Sequence, residues 1–201
     1  MKRKLCFILT VAVCLFSVSA LAASSPMLES FAGSGIKKKE PAGKLQKTLL
    51  SVMRKTGSTR LADIITENDS FVDAEGNAAP VRDAEIEVIF TPEVYRVKKD
   101  GTADFIMQLA DVRAFSEKEA AVVVGIPQGT GENAGVKYIE IPAEVRDGKV
   151  QAVFPAWAVA EMRHSISSGW NCVCLVVSRD YQPAPDGLLF EIPAEEDAVS
   201  V

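Results

Sequence analysis

The amino-acid sequence predicts a mainly β fold, a β-sandwich, and three observations carry that prediction. After Asp83, apolar and polar residues alternate in runs such as AEIEVIF (84–90) and TADFIMQL (102–109), which is the period of a strand with one buried face. Asp147-Gly148 between two β-rich runs is typical of a type I′ hairpin. A short helical stub precedes the strands and one crossover helix interrupts them, so an α+β fold is the alternative.

Residues 44–66 predict the helical stub, packed on the main domain. Four apolar residues fall at i, i+4, i+7 and i+8 of one helix face: Leu45, Leu49, Val52 and Met53. This pattern predicts a helix over 44–55 that Gly57 terminates. The STRLADIIT stretch that follows predicts a second short helix with Ser58 or Thr59 as its N-cap.

The strand pattern also assigns faces. In AEIEVIF it places Ile86, Val88 and Phe90 on a core face and Glu85 and Glu87 on a solvated face. AAVVVGI (120–126) is apolar on both faces, which is typical of a central strand. KYIEIPAEV and KVQAVF flank the Asp147-Gly148 turn, and Asp100-Gly101 and Asp186-Gly187 predict further turns. GLLFEIP (187–193) predicts one more edge strand.

The crossover helix carries a candidate binding patch. Pro155 suits the first helical position. Its inward face is predicted to hold Val159, Met162 and Ile166. At 100° per residue, Trp157, Glu161 and His164 share the opposite face, where an aromatic, a carboxylate and an imidazole can form a recognition surface. The alternative is structural: Glu161 and His164 form an i, i+3 pair and Trp157 covers the sheet.

The first 22 residues predict a signal peptide. Basic residues at 2–4, an apolar run over 5–16 and an A-L-A tripeptide at 20–22 predict cleavage before Ala23 and secretion, extracellular or periplasmic. The mature chain then keeps 19 basic against 27 acidic residues, a net charge of −8. This charge argues against nucleic-acid binding. No further segment is long and apolar enough to predict a membrane span.

The rest of the chain divides by composition. Residues 23–43, rich in Gly, Ser and Pro with three consecutive lysines, predict a linker. Residues 67–193 predict the β-rich domain, and 194–201 an acidic tail. The glycine-rich loop 125–135 predicts a hairpin loop rather than a phosphate site, because a strand follows it where a phosphate cradle needs a helix N-terminus.

Cys172 and Cys174 are the cysteines that remain after the signal peptide. Residues i and i+2 of a strand lie about 6.6 Å apart, whereas a disulfide requires Cβ atoms about 4 Å apart. The pair is therefore predicted to be reduced and buried as small apolar side chains. A single histidine excludes two-histidine zinc motifs, and the sequence predicts no metal and no cofactor.

A catalytic alternative stays open on the same residues. Cys172 or Cys174 with His164, and Arg179 as an anion clamp, would make a thiol-dependent hydrolase or transpeptidase. This set of residue types is similar to that of sortase-like transpeptidases, but no Thr-Leu-x-Thr precedes either cysteine.

The halves AEIEVIF…AAVVVGI and VRDGKVQAVFPAWAV…CVCLVVS together resemble the immunoglobulin-like β-modules of secreted and surface proteins of Gram-positive bacteria, over roughly residues 84–179. The resemblance implies an immunoglobulin-like sandwich and a binding, spacer or accessory role, and it transfers no site residues. The sequence thus predicts a secreted, non-catalytic protein that binds a protein or envelope component. A structural subunit of a surface assembly, whose sheet edges pair between chains, is a further alternative.

Overall fold

The structure is a computed structural model that describes residues 28–109, 119–131 and 134–178. The strands in these ranges are β1 (Leu28–Ser30), β2 (Ile36–Lys38), β3 (Ser70–Val72), β4 (Glu85–Phe90), β5 (Pro92–Val94), β6 (Ala103–Leu109), β7 (Ala120–Gln128), β8 (Gly135–Arg146), β9 (Lys149–Phe154) and β10 (Val173–Ser178). The helices are α1 (Lys44–Thr56) and α2 (Ala156–Ser167), with one 3₁₀ turn, Leu61–Asp63.

Eight strands form one sheet. Seven of them follow the order β1-β6-β9-β8-β7-β10-β4, and the eighth, β3, pairs with β8 outside this order. Only the β3–β8 pair is parallel among the pairings of the described residues. β2 and β5 form a separate two-stranded ribbon. The fold is therefore mainly β, with antiparallel strands curled into a half-barrel, and this topology does not confirm the sandwich or its immunoglobulin-like arrangement.

A cluster of phenylalanines shows how far the sheet curls. Phe90 lies on β4, at one end of the strand order, and Phe105 lies on β6, next to the other end. Their rings nevertheless stack with centroids 6.1 Å apart and planes 11° apart. Phe31 lies 5.3 Å from Phe90 and Phe154 lies 6.1 Å from Phe105, again between ring centroids. The two ends of the sheet thus meet through buried aromatic rings.

The β2–β5 ribbon also joins these two ends. β5 begins two residues after β4 ends, and the turn before β2 is hydrogen bonded to β6. The Gly35 N–H donates to the Asp104 carbonyl (2.7 Å), and the Ile106 N–H donates to Ser34 Oγ (3.2 Å). A Cβ at Gly35 would lie 2.4 Å from the Arg96 carbonyl oxygen, so the approach requires glycine. The segment predicted as a linker (23–43) therefore supplies β1 and β2, because its few apolar residues find partners far along the chain.

Each helix covers one face of the central strands. The α2 face includes Phe90, Phe105, Val122, Val124, Phe154, Met162, Cys172 and Cys174. The α1 face includes Leu49, Leu50, Met53, Ile86, Val123, Tyr138, Val173 and Leu175. β7 and β10 are thus buried on both sides, which confirms the central strand predicted for 120–126.

The predicted first helix is confirmed, and the second is shorter than predicted. α1 ends at Gly57, whose left-handed φ of 66° makes it the C-cap, and the predicted apolar stripe faces the sheet. The following segment forms only the 3₁₀ turn. Thr59 does not cap it, because the Thr59 hydroxyl donates to the Glu85 carboxylate (2.9 Å).

A β-bulge in β4 changes which sheet face its side chains point to, so the predicted core face of β4 is wrong in part. The register against β10 shifts between Val176, which pairs with Val88, and Val177, which pairs with Ile86. Glu87 is the extra residue. As a result Ile86 turns to the α1 face, while Val88 stays on the α2 face.

The predicted solvated face of β4 is also wrong. Glu85 is 5% exposed and Glu87 is 0% exposed. Their carboxylates accept hydrogen bonds from Thr59 Oγ1 (2.9 Å) and Ser178 Oγ (2.8 Å), respectively. Hydroxyl groups from distant segments make this burial possible. The alternation of residues along β4 cannot predict these partners, so the prediction failed.

The remaining local predictions mostly hold. β6 and β9 bury alternate residues, and Asp147 and Gly148 have φ values of 51° and 73°, as a type I′ turn requires. Pro155 is extended (ψ 149°) and precedes the helix, which begins at Ala156. The turn at 186–187 and the strand GLLFEIP lie outside the described residues. Within the described ranges, no helix is long and apolar enough to cross a membrane.

Replacement of Phe105 by alanine tests the closure of the half-barrel. We expect Phe105→Ala to lower the free energy of unfolding by about 3–5 kcal/mol, because a fully buried ring is lost and the cavity cannot collapse. Tyr95→Ala is the control, since Tyr95 is 69% exposed and should change stability by less than about 1 kcal/mol. Urea denaturation measures both, and equal effects would contradict the closure.

Candidate functional site

Trp157 holds a turn against α2. Its indole N–H donates to the Ala74 carbonyl (2.8 Å), and a Cβ at Gly76 would lie 3.7 Å from the indole ring. Asp73 Oδ1 closes the same turn by accepting the N–H groups of Glu75 (3.0 Å) and Asn77 (2.8 Å). These hydrogen bonds, above all the one from the Asn77 N–H, lower the pKa of Asp73. Trp157 therefore covers this turn, whereas the structural alternative had placed it over the sheet.

Glu161 pairs with a lysine of β8. Lys137 Nζ lies 2.8 Å and 3.0 Å from the two carboxylate oxygens of Glu161, and it also lies 5.1 Å from the centroid of the Trp157 ring. Two members of the predicted patch, Trp157 and Glu161, thus meet through Lys137. Both carboxylate oxygens of Glu161 face Lys137, so the predicted i, i+3 pair with His164 is not what orients this carboxylate.

His164 lies one turn further along α2, exposed, on a groove of about 620 Å³. The groove runs between the C-terminal half of α2 and the end of β7. We call it the α2 groove, and its principal lining residues are Pro127, Gln128, Ala160, Glu161, His164 and Trp170. The structure therefore brings Glu161 and His164 together on one groove and leaves Trp157 outside it.

The end of α2 fixes the position of Trp170. The Trp170 N–H donates to the Ser165 carbonyl (3.0 Å) and the Gly169 N–H donates to the Ile166 carbonyl (3.1 Å). With Gly169 at φ 82°, these two bonds make a Schellman motif. Trp170 follows directly and is 45% exposed. It lines the α2 groove on one side and a second groove beside α1 on the other.

Sequence reasoning missed Trp170 and Lys137. The signal for Trp170 was available: a large aromatic directly after a glycine in a helix-to-strand connection, where binding residues often lie. Lys137 gave no signal, because its partner Glu161 is 24 residues away and comes from a different element.

The two cysteines lie in the core, as predicted. Cys172 and Cys174 are buried on the α2 face and are not joined by a disulfide. Burial raises the pKa of both thiols, and for Cys174 the neighbouring Cys172 raises it further. The Cys172 Sγ faces the Met162 carbonyl at 3.9 Å, whereas His164 is exposed on the outer side of the same helix. The arrangement gives no thiolate beside an imidazole.

The glycine-rich loop joins β7 to β8 as an antiparallel hairpin, as predicted. Within the described residues, no group of three or more His, Cys, Asp or Glu side chains is placed to hold a metal ion. Comparison with protein-family models, with curated proteins and with solved structures finds no match.

Thiol labelling tests the state of the cysteines. We expect both to react with a thiol reagent at neutral pH many-fold more slowly in the folded protein than in denaturant, because the thiols are shielded and their raised pKa values keep them protonated. Peptide mapping after labelling identifies the cysteine that reacts. Rapid native labelling of either one would contradict the buried, unreactive pair.

Proposed function

We propose that the protein is a secreted, non-catalytic binding protein that recognises a protein or cell-envelope component through the α2 groove. The observation that carries the proposal is the exposed Trp170 ring beside His164 on a groove of about 620 Å³. Interfaces gain most of their affinity from a few such aromatic anchors, with polar groups around them that fix orientation.

The arrangement of the nucleophiles supports binding over catalysis. A thiol enzyme needs a thiolate within reach of a base. Here both thiols are buried with raised pKa values, while His164 faces the groove.

The assembly alternative needs an open sheet edge, and the start of β4 is already paired on its outer edge. The Leu61 N–H donates to the Ala84 carbonyl and the Ile86 N–H donates to the Thr59 carbonyl, both at 2.8 Å. Pairing between chains at this edge would first have to displace residues 59–61.

Variants of the α2 groove test the proposal once a partner has been isolated from the envelope and culture fluid of the producing cell. Ala160→Arg places a long side chain in the groove, and we expect it to abolish binding. His164→Ala should weaken binding roughly 5- to 10-fold and Trp170→Ala roughly 30-fold or more, the range of interface hot spots.

Tyr95→Ala is the matched control, because it removes an exposed aromatic from a different part of the surface. It should leave both the Kd and the Tm unchanged. Unchanged binding by Ala160→Arg would overturn the proposal. So would loss of a turnover activity in a folded Cys172→Ala/Cys174→Ala variant.

Secretion is tested by the intact mass of the protein recovered outside the cell. We expect a mass that corresponds to residues 23–201, because the A-L-A tripeptide at 20–22 follows an apolar run with a basic start. Recovery of a chain that retains residues 1–22 would remove the secretion part of the proposal.

A further inference from the structure

A second groove lies on the other side of Trp170, between α1 and the β7–β8 hairpin. It encloses about 360 Å³, at the lower end of the range of roughly 300–1,000 Å³ for small-molecule sites. We call it the α1 groove, and its apolar walls are formed mainly by Leu45, Leu49, Val52, Ile64, Pro127 and Val136. The exposed indole of Trp170 stands beside these walls, so an apolar molecule seated here would shield it from water.

A buried hydroxyl belongs to the same groove. Tyr138 lines it and is 0% exposed, and its hydroxyl has no hydrogen-bond partner among the described residues. Buried hydroxyls are normally hydrogen bonded, and one left without a partner is destabilising. A polar group of a bound molecule would remove this penalty.

Asp69 supplies a fixed negative charge at the groove. Its carboxylate accepts the Val136 N–H (2.6 Å), the Thr66 N–H (2.7 Å) and the Thr66 hydroxyl (3.0 Å), so it cannot turn away. Burial, and then the charge of Asp69, raise the pKa of Tyr138, so its hydroxyl stays protonated. Near Asp69 a ligand group must be a hydrogen-bond donor and cannot be an anion.

We propose that the α1 groove binds a small, mainly apolar molecule that ends in one hydroxyl or amine. The apolar part lies along α1 and Trp170, and the polar end reaches Tyr138 and Asp69. A hydroxyl accepts from Tyr138 and donates to Asp69, whereas an amine in its ammonium form donates to both. Lys44 also lines the groove, at the start of α1, but an anion held there would leave the Tyr138 hydroxyl without a partner.

This site is separate from the α2 groove, so the two proposals stand or fall independently. Trp170 borders both grooves and is therefore not used as a test here. Val52 and Tyr138 line the α1 groove alone, and Ala160 and His164 line the α2 groove alone.

Three probes of equal chain length test the ligand class: 1-octanol, octylammonium and octanoate. Binding to the full chain is measured from saturable shifts of backbone amide NMR signals. We expect 1-octanol, octylammonium or both to bind at the α1 groove, and octanoate to bind roughly ten-fold more weakly or not at all. A comparison of the affinities of 1-octanol and octylammonium shows whether the groove prefers a hydroxyl or an ammonium group. Equal affinity of all three probes, or no saturable binding of any, would overturn the proposal.

Two variants locate the site. Tyr138→Phe removes only the hydroxyl, and we expect it to weaken the best probe roughly 3- to 10-fold, the value of one hydrogen bond, while the Tm is kept or raised. A loss of affinity without a loss of stability distinguishes this effect from unfolding. Unchanged affinity in a folded Tyr138→Phe variant would show that the hydroxyl takes no part and would overturn the proposal.

Val52→Phe fills the groove from the α1 side and should abolish binding of every probe. Val153→Phe, at an exposed valine on β9, makes the same change away from both grooves and should have no effect. If the two variants bind alike, the probes lie elsewhere on the surface and the proposal is wrong. Ala160→Arg should leave probe binding intact.

Discussion

The contact between Phe90 and Phe105 sets the shape of the molecule. Phe90 lies on β4, the last strand of the sheet order, and Phe105 lies on β6, the strand next to the other end. The two rings stack because the sheet has curled and brought these strands together. The curl encloses an aromatic interior that neither strand could build alone, and the β2–β5 ribbon joins the same two ends through backbone hydrogen bonds. An open sheet of this size would leave two long edges exposed. Here one end is closed by contacts that are distant in sequence.

The curl also determines where the grooves lie. β7 and β10 are buried on both faces, so each face needs its own helix. The β7–β8 hairpin contributes Pro127 and Gln128 to both grooves, because it extends between α1 and α2. The Schellman motif at the end of α2 places Trp170 in this gap. Both grooves follow from how the sheet is covered, and neither needs an inserted element.

The sequence correctly predicted those elements that depend on residues close together in the chain. The alternation of apolar and polar residues predicted β6 and β9, and apolar residues with a period of 3.6 predicted α1. The Asp147-Gly148 pair predicted the turn, because a type I′ turn needs two positive φ values. The wrong predictions for β4 and for Glu161 involve partners that are distant in the chain. Glu85 is buried because Thr59 donates to it, and the bulge at Glu87 depends on the register of β10. In the same way, Glu161 is oriented by Lys137, which no pattern along α2 can reveal.

The polar and reactive side chains differ in whether they lie in the core, in an ion pair or on a groove. The two thiols lie in the core, and Glu161 is held in an ion pair with Lys137. Groups suited to recognition lie on the grooves, namely the exposed indole of Trp170 and the imidazole of His164. The buried hydroxyl of Tyr138 is the exception, since it lines a groove and has no partner within the described structure. Glu85 and Glu87 each accept a hydrogen bond from a hydroxyl of a distant segment, and the Tyr138 hydroxyl has no hydrogen-bond partner among the described residues. Because Tyr138 also lines the α1 groove, a molecule bound there is the natural place to look for that partner.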